Sequence, residues 1–309
     1  MSMLPGTIET VSKHFDQYVI YGANGWLGRS TLEALIDLKV ESNSLLLVGS
    51  KASKLQFSGS VFEILDAESA YRELKSNSLF FNYAFLRREK LQGLTVEEYT
   101  QKNLNITTFP KKAIEAKNVK CLVNASSGVA ATINLESADI LDPYARLKAI
   151  EEAQLAQVCQ ENSTYFINCR IFSLTGKHIN EFQNLAISNF VREASENKEI
   201  LIKSETTRRT YIDATDLSRV FIALALKDQN YSLDSGGTLI DMNRLADLVA
   251  SNIAGAEIKS AEPQELGTDY FGDFERFNQI AQEEGVDLLG IEDQIKLTSK
   301  AILEAINNR

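Results

Sequence analysis

Tyr144-Ala-Arg-Leu-Lys148 places a phenol and an ammonium four residues apart, on one face of the chain if the segment is helical. A nearby cation favours the phenolate, so such a tyrosine can donate and accept a proton near neutral pH. Asn124-Ala-Ser126-Ser127-Gly128 closes an apolar run and sets two hydroxyls at a strand end, the edge where open parallel sheets bind ligands. Ser127, or failing that Ser126, can hydrogen-bond a carbonyl oxygen that Tyr144 protonates. Spacing alone does not select Tyr144, because a chain with 10 tyrosines gives roughly 0.6 chance matches to Tyr-x-x-x-Lys. A second match exists, Tyr71-Arg-Glu-Leu-Lys75, but it reads as a solvated pair on a surface helix. The serine-bearing strand end before Tyr144 separates the two.

Gly22-Ala-Asn24-Gly25-Trp26-Leu27-Gly28 lies between an apolar strand and an amphipathic stretch. Glycines there permit positive φ and let the backbone approach a pyrophosphate, toward which the following helix points its free N–H groups. The turn therefore reads as a dinucleotide site, and a nicotinamide beside Ser127, Tyr144 and Lys148 would supply hydride to the polarised carbonyl. The strand Leu45–Val48 leads to Gly49, Ser50 and Lys51, with no carboxylate through Lys54. A carboxylate there would hold ribose hydroxyls and repel a 2′-phosphate. Ser50, Lys51 and Arg29 instead offer a hydroxyl and two cations, so NADP(H) is expected over NAD(H). Asn82, Tyr83 and Ala84 end another apolar run and are expected to contact the same cofactor. Arg87, Arg88 and Lys90 follow and could reach an anionic substrate, although a charge run in a loop is usually a wet surface.

These residues need a scaffold with one ligand-binding edge, and the pattern supplies it. Apolar runs alternate with amphipathic stretches: Tyr18–Tyr21 then Ser30–Leu38, Leu45–Val48 then a polar loop, Val61–Leu65 then Ala67–Leu74. Leu79–Phe85 then Val96–Ala116, Cys121–Val123 then Pro143–Cys159, and Tyr165–Phe172 continue the series. This predicts an α/β fold, a Rossmann-type doubly wound parallel sheet. Asp142 and Pro143 predict the start of the helix that carries Tyr144. After Gly176 the alternation loosens into a smaller C-terminal substrate lobe. The expected division is 1–176, with 205–228 returning to it, against 177–204 and 229–309. Arg208–Asp213 then Leu217–Leu226 read as strand and helix, and Asn243–Ile253 and Asp287–Ile306 as helices.

With 309 residues, 44% hydrophobic and 24% charged, the chain has an ordinary globular composition. A net charge of -10 argues against nucleic acid or an anionic membrane surface as partner. Nothing approaches an apolar membrane span, and the first twenty residues carry His14 and Asp16 rather than a leader pattern, so a cytoplasmic protein is expected. Cys121, Cys159 and Cys169 are expected to be reduced core residues. His14 and His178 give no zinc spacing, and no metal is expected.

Together the glycine turn, the strand-end serine and Tyr144/Lys148 resemble the extended short-chain dehydrogenase/reductase family, also described as the NAD-dependent epimerase/dehydratase family. The resemblance runs from about Tyr18 to Leu226. It includes Asp66, followed by Ala67, where the family has an acidic residue near the adenine. It includes Arg170-Ile-Phe-Ser173-Leu-Thr-Gly176, similar to Arg-x-x-Asn-x-x-Gly, and Arg209-Thr-Tyr-Ile-Asp-Ala-Thr-Asp216-Leu, in which the arginine commonly meets a substrate diphosphate. Arg244-Leu-Ala-Asp-Leu-Val after Gly236-Gly237 also looks familial. Departures are Gly128-Val129 where dehydratases carry Asp-Glu, Ser173 for Asn, Ala130-Ala131 for an aromatic tail, and Asn82-Tyr83-Ala84-Phe85 for His-x-Ala-Ala. The resemblance implies Ser127, Tyr144 and Lys148 as catalytic residues, and Ser126, Ser127, Ser173 and Arg209 toward a nucleotide-sugar substrate. It implies a homodimer paired through the two long helices. The expected activity is an NADP-dependent reduction of a keto group on a nucleotide-linked deoxyhexose for a surface polysaccharide. The alternatives are a nucleotide-sugar epimerase holding NAD tightly, and a catalytically silent dinucleotide-binding interaction protein.

Overall fold

The computed structural model describes residues 11, 13–116, 118–135, 142–180, 182 and 185–307, so most of the stretch read for a leader lies outside it. Contacts divide the chain into two compact units, one reaching to Ile171 and including Ser218–Leu233, the other Phe172–Leu217 with Asp234 onward.

The first unit is built on eight strands: β1 (Gln17–Tyr21), β2 (Leu45–Gly49), β3 (Ser53–Phe57), β4 (Ser60–Asp66), β5 (Ser78–Asn82), β6 (Val119–Ser127), β7 (Tyr165–Ile171) and β11 (Tyr231–Asp234). They lie in the order β11-β7-β6-β5-β1-β2-β4-β3. From β4 through β2, β1, β5 and β6 to β7 every pair is parallel. β1 and β5 are buried along their whole length, as expected of strands covered on both faces. Sequence order reverses between β1 and β5, which places the ligand crevice of such a sheet at the carboxyl ends of these two strands. Helices α1 (Trp26–Asp37), α2 (Ala67–Glu73), α3 (Val96–Glu115) and α4 (Pro143–Glu161) make the connections.

Local chemistry sets the helix ends. Asp142 accepts from the Tyr144 and Ala145 N–H groups at 3.1 and 3.3 Å, and Pro143 opens α4 at its first turn. Thr95 and Glu98 form a reciprocal capping box on α3. Pro110 within α3 has no N–H for the Ile106 carbonyl, which lies 3.4 Å from the Tyr21 hydroxyl of β1. The Tyr21 and Phe80 rings pack on Phe109 at 5.0 and 5.5 Å, so the same stretch of α3 closes the core.

The sequence pattern differs from the structure in places that have physical causes. The expected polar loop after β2 contains β3, antiparallel to β4. Only Leu55 and Phe57 are buried in β3, and the tight Ser58-Gly59 turn has positive φ at both residues, 48° and 80°. β6 extends beyond the apolar Cys121–Val123 to Ser127, because its polar end is itself paired and buried. α1 starts at Trp26 rather than Ser30.

In the second unit β8 (Ser173–Thr175), β10 (Arg208–Asp213) and β12 (Thr238–Asp241) form one small sheet, and β9 (Glu199–Ile202) and β13 (Glu257–Ser260) another. β10 therefore pairs with β8 and β12, whereas the later strand in the large sheet is β11. α5 (Ala186–Asn197), α7 (Met242–Ala250), α8 (Phe274–Glu283) and α9 (Ile291–Asn307) complete this unit, and α6 (Ala214–Ala225) contains the break at Leu217/Ser218. α5 and α8 lie where the pattern gave no element, and α9 begins at Ile291, four residues after the expected Asp287.

Candidate active site

The glycine turn sits at the crevice. Gly22 donates to the Val48 carbonyl at 2.9 Å, and Tyr83 donates to the Tyr21 carbonyl at 2.9 Å, tying the turn to β2 and to the segment after β5. Gly22 has φ +97°, and a Cβ there would come within 3.0 Å of the Tyr83–Ala84 peptide. At Gly28 a Cβ would stand 2.4 Å from the Gly22 oxygen and 2.7 Å from Ala23 Cα. Gly25 caps α1 without a side-chain bond, and the first turn of the helix carries no acidic residue. Backbone N–H groups at the head of α1 thus have no competing carboxylate within that turn, which suits a pyrophosphate. Trp26 and Leu27 open the helix behind it.

The other cofactor candidates spread along the same edge. Arg29 folds back so that its Nε donates to the Asn24 carbonyl at 3.1 Å. Ser50 and Lys51 are exposed just past β2. Asp66 ends β4 opposite Gly49 and caps α2, beginning at Ala67, through the Ser69 N–H at 2.9 Å. That backbone bond and the Ser69 hydroxyl hold the Asp66 carboxyl below its usual range. The Tyr83 hydroxyl turns instead toward Thr31 at 2.9 Å, and burial raises its phenol well above the ordinary value.

Beyond β5 the backbone of Leu86 is held from α3. Asn103 Oδ1 accepts its N–H at 2.8 Å, and the Tyr99 hydroxyl donates to its carbonyl. This loop carries Phe85, whose ring meets Tyr144 edge-on at 5.7 Å and lies 3.9 Å from Lys148 Nζ. Arg88 stacks 5.6 Å over the Tyr144 ring and pairs with Asp142. Lys148 is buried and donates to the Ala125 carbonyl at 3.0 Å and to Glu151 at 2.8 Å. Ser126 and Ser127 end β6 and are both buried. Strand alternation sets Ser126 on the face of Asn124, which α4 covers, and Ser127 on the other. Tyr71 stands exposed on α2, without such surroundings.

Asn82 was expected beside the cofactor, but its partners here lay outside the sequence reading. Asn82, Asn124 and Asn168 occupy one register row of β5, β6 and β7. Asn82 donates to Asn124 Oδ1 at 2.9 Å and to Glu151 Oε1 at 3.1 Å, and Asn124 donates to Asn168 Oδ1 at 2.9 Å. Glu152 takes a bidentate pair of bonds from Arg170 at 3.0 and 2.8 Å. Burial alone would raise the Glu152 carboxyl, but the Arg170 and Asn168 bonds hold it below its usual range. Asn82 Oδ1 is buried without a partner, an acceptor that a bound donor would satisfy. With the glycine cradle, this open acceptor fits a dinucleotide at the strand ends.

In the second unit Ser173 is the register partner of Tyr211, two residues from Arg209 on β10. The Arg209 guanidinium lies 5.7 Å over the Tyr270 ring, and its Nε is buried without a hydrogen bond. Tyr270 also packs against Phe172 at 4.8 Å. Among the described residues no group of three or more His, Cys, Asp or Glu could hold a metal, and no helix is long and apolar enough to cross a membrane.

The architecture recurs in solved proteins. UDP-glucose 4-epimerase of Thermus thermophilus, in complex with NAD, is 17% identical with a TM-score of 0.68 over 94% of this chain and 99% of that one. UDP-N-acetylglucosamine 4-epimerase of Methanobrevibacter ruminantium M1, in complex with UDP-N-acetylmuramic acid, is 17% identical with a TM-score of 0.72 over the same shares. An NAD-dependent NDP-hexosamine 5,6-dehydratase of tunicamycin biosynthesis is 16% identical, with a TM-score of 0.69 over 92% of this chain and 97% of that one. No protein of curated function matches the sequence significantly. At these identities the likeness establishes the fold, and the family rests on the sequence itself. The model of the NAD dependent epimerase/dehydratase family matches residues 18–233, from β1 through β11, and so takes in both the glycine turn and Tyr144/Lys148: the chain belongs to that family of enzymes.

Proposed function

We propose that this protein is a nucleotide-sugar epimerase, oxidising one carbinol carbon of its substrate and re-reducing the ketone from the opposite face. The observation that carries the reading is the shared location of the glycine cradle and of Ser127, Tyr144 and Lys148 at the carboxyl ends of one parallel sheet. Similarity to UDP-sugar 4-epimerases along nearly the whole chain favours epimerisation over the net reduction expected from the sequence. A nicotinamide dinucleotide bound along Gly22–Gly28 supplies the hydride acceptor and donor. Tyr144 takes the hydroxyl proton as the carbon is oxidised and returns it on reduction, and Ser127 hydrogen-bonds the same oxygen. Lys148 fixes a positive charge one turn along α4. Arg209 and Ser173 hold the nucleotide diphosphate side of the substrate. The homodimer and surface-polysaccharide role implied by the resemblance travel with this reading.

Net reduction by NADPH is the second reading, favoured by the absence of a carboxylate at Gly49–Lys54 and by exposed Ser50 and Lys51. Mass spectrometry of co-purified dinucleotide, followed by incubation with UDP-hexoses, tests both. Tightly held NAD and an epimer formed without net cofactor consumption support the epimerase. One NADPH consumed per turnover supports the reductase, and no dinucleotide binding at all overturns both.

A further inference from the structure

Glu151 is a carboxylate 2% exposed, in the middle of a helix, and the acid–base scheme above gives it no task. Burying such a group is costly unless its charge and lone pairs are satisfied. Here they are: Oε2 accepts from Lys148 Nζ at 2.8 Å and Oε1 from Asn82 Nδ2 at 3.1 Å. Lys148 Nζ then has one hydrogen toward Glu151, one toward the Ala125 carbonyl at 3.0 Å, and the Phe85 ring at 3.9 Å. Its direction is set by β6, by α4 and by the loop after β5 together. The carboxylate is anchored in turn. Both Nδ2 hydrogens of Asn82 are committed, to Glu151 and to Asn124 Oδ1, and Asn124 donates onward to Asn168. Flipping the Asn82 amide would set its oxygen against two acceptors, so the row runs in one sense only. Titratable and charged groups near the pair are Tyr144 and Glu152 on α4, Glu152 being paired with Arg170 of β7, Tyr21 on β1, and Arg88 with Asp142 by the Tyr144 ring.

We propose that Glu151 is a positioning residue, which holds the Lys148 ammonium in the one direction from which it can serve a dinucleotide and Tyr144, and which the Asn82–Asn124–Asn168 row locks in place. The proposal rests on the dinucleotide reading for its functional half, and the geometry of the pair stands apart from it.

The test uses the intact chain labelled with 15N-lysine. An ammonium held this way exchanges slowly and gives a 1H–15N correlation, assigned by its loss in Lys148→Met. Glu151→Gln keeps the shape and removes the charge. The correlation should vanish in Glu151→Gln and persist in Tyr144→Phe. Fluorescence titration with NADH and NADPH should show affinity roughly tenfold or more weaker in Glu151→Gln, since hydrogen bonds to charged groups are the stronger class. The Michaelis constant for sugar should change less than twofold while kcat falls. If Glu151→Gln does not fold, Glu151→Leu with Lys148→Met removes both charges. Folding recovered in the double variant supports the coupling of the two charges that the proposal needs, and folding no better than in Glu151→Gln counts against it. A persistent ammonium signal in Glu151→Gln, or unchanged dinucleotide affinity, overturns it. Wild-type protein that shows the signal but binds neither dinucleotide overturns the proposed function and leaves the pair's geometry standing.

Discussion

What distinguishes Tyr144 from Tyr71 is company. Each begins a Tyr-x-x-x-Lys match, yet Tyr71 is exposed on a short helix, whereas Tyr144 has Phe85 at its edge and Arg88 over its face. Proton transfer by a positioned side chain contributes roughly a hundred- to ten-thousand-fold. Tyr144→Phe keeps the ring and its packing, so turnover should fall by about that range while dinucleotide affinity changes little, and Tyr71→Phe should match wild type. Steady-state kinetics with calorimetric cofactor titration decides, and loss of turnover in Tyr71→Phe alone would assign the chemistry to the wrong helix. Arg209 offers a second test. Its Nε has no hydrogen-bond partner, and charge-assisted bonds to phosphate are among the strong ones. Arg209→Ala should raise the Michaelis constant for a nucleotide sugar about tenfold or more and leave cofactor affinity alone. Equal weakening of both would remove Arg209 from the substrate side.

At the level of elements, the turn joining β1 to α1 and the start of α3 carry separate duties. Gly28→Ala forces a Cβ into backbone rather than into a movable side chain. The turn must shift, and dinucleotide affinity should drop by at least tenfold, with stability lower by about 1–3 kcal/mol. Thr95→Ala breaks a capping box on α3. It should cost about 1 kcal/mol in denaturant unfolding and spare the dinucleotide affinity. Gly28→Ala with unchanged affinity would separate the turn from the cofactor. What could be read from sequence follows the same division. The alternating parallel core was legible because β1 and β5 carry apolar runs, Tyr18–Tyr21 and Leu79–Phe81, and the head of α4 because Asp142-Pro143 is a strong local signal. β3 was not, since an edge strand with two buried side chains has hardly more pattern than a loop. The second unit was obscure because its strands, β8, β9, β10, β12 and β13, are three to six residues long. In the site, Gly22, Gly28, Tyr144 and Lys148 were visible as spacings. Asn82 was legible as a strand-end cofactor candidate, but Glu151 and the row that joins Asn82 to Asn124 and Asn168 were invisible, because a polar residue in a strand or helix reads as exposed until its partners across the sheet are known.

The two units of the molecule can be followed separately, because Cys121, Cys159 and Cys169 all belong to the first, all are buried and none is in a disulfide. Burial raises the Cys121 thiol and pushes Cys159 up to about 12. Both should resist alkylation in the native chain, since the thiolate is the nucleophile. The sign of the pH effect follows from the same shift. A thiol raised in the folded state contributes stability that is whole below its unfolded value of about 8.5 and is lost as pH climbs toward the folded one. The denaturant midpoint of the first unit should therefore fall between about pH 8.5 and 12, where the unfolded chain sheds protons the folded chain retains. Thiol labelling against denaturant at pH 7.5 should expose the three cysteines in a single transition, because they sit in one sheet and the helix packed on it. Circular dichroism followed in parallel reports both units. Labelling that runs ahead of the spectroscopic transition would show the first unit opening by itself. Labelling of Cys121, Cys159 and Cys169 at the native baseline would contradict their burial.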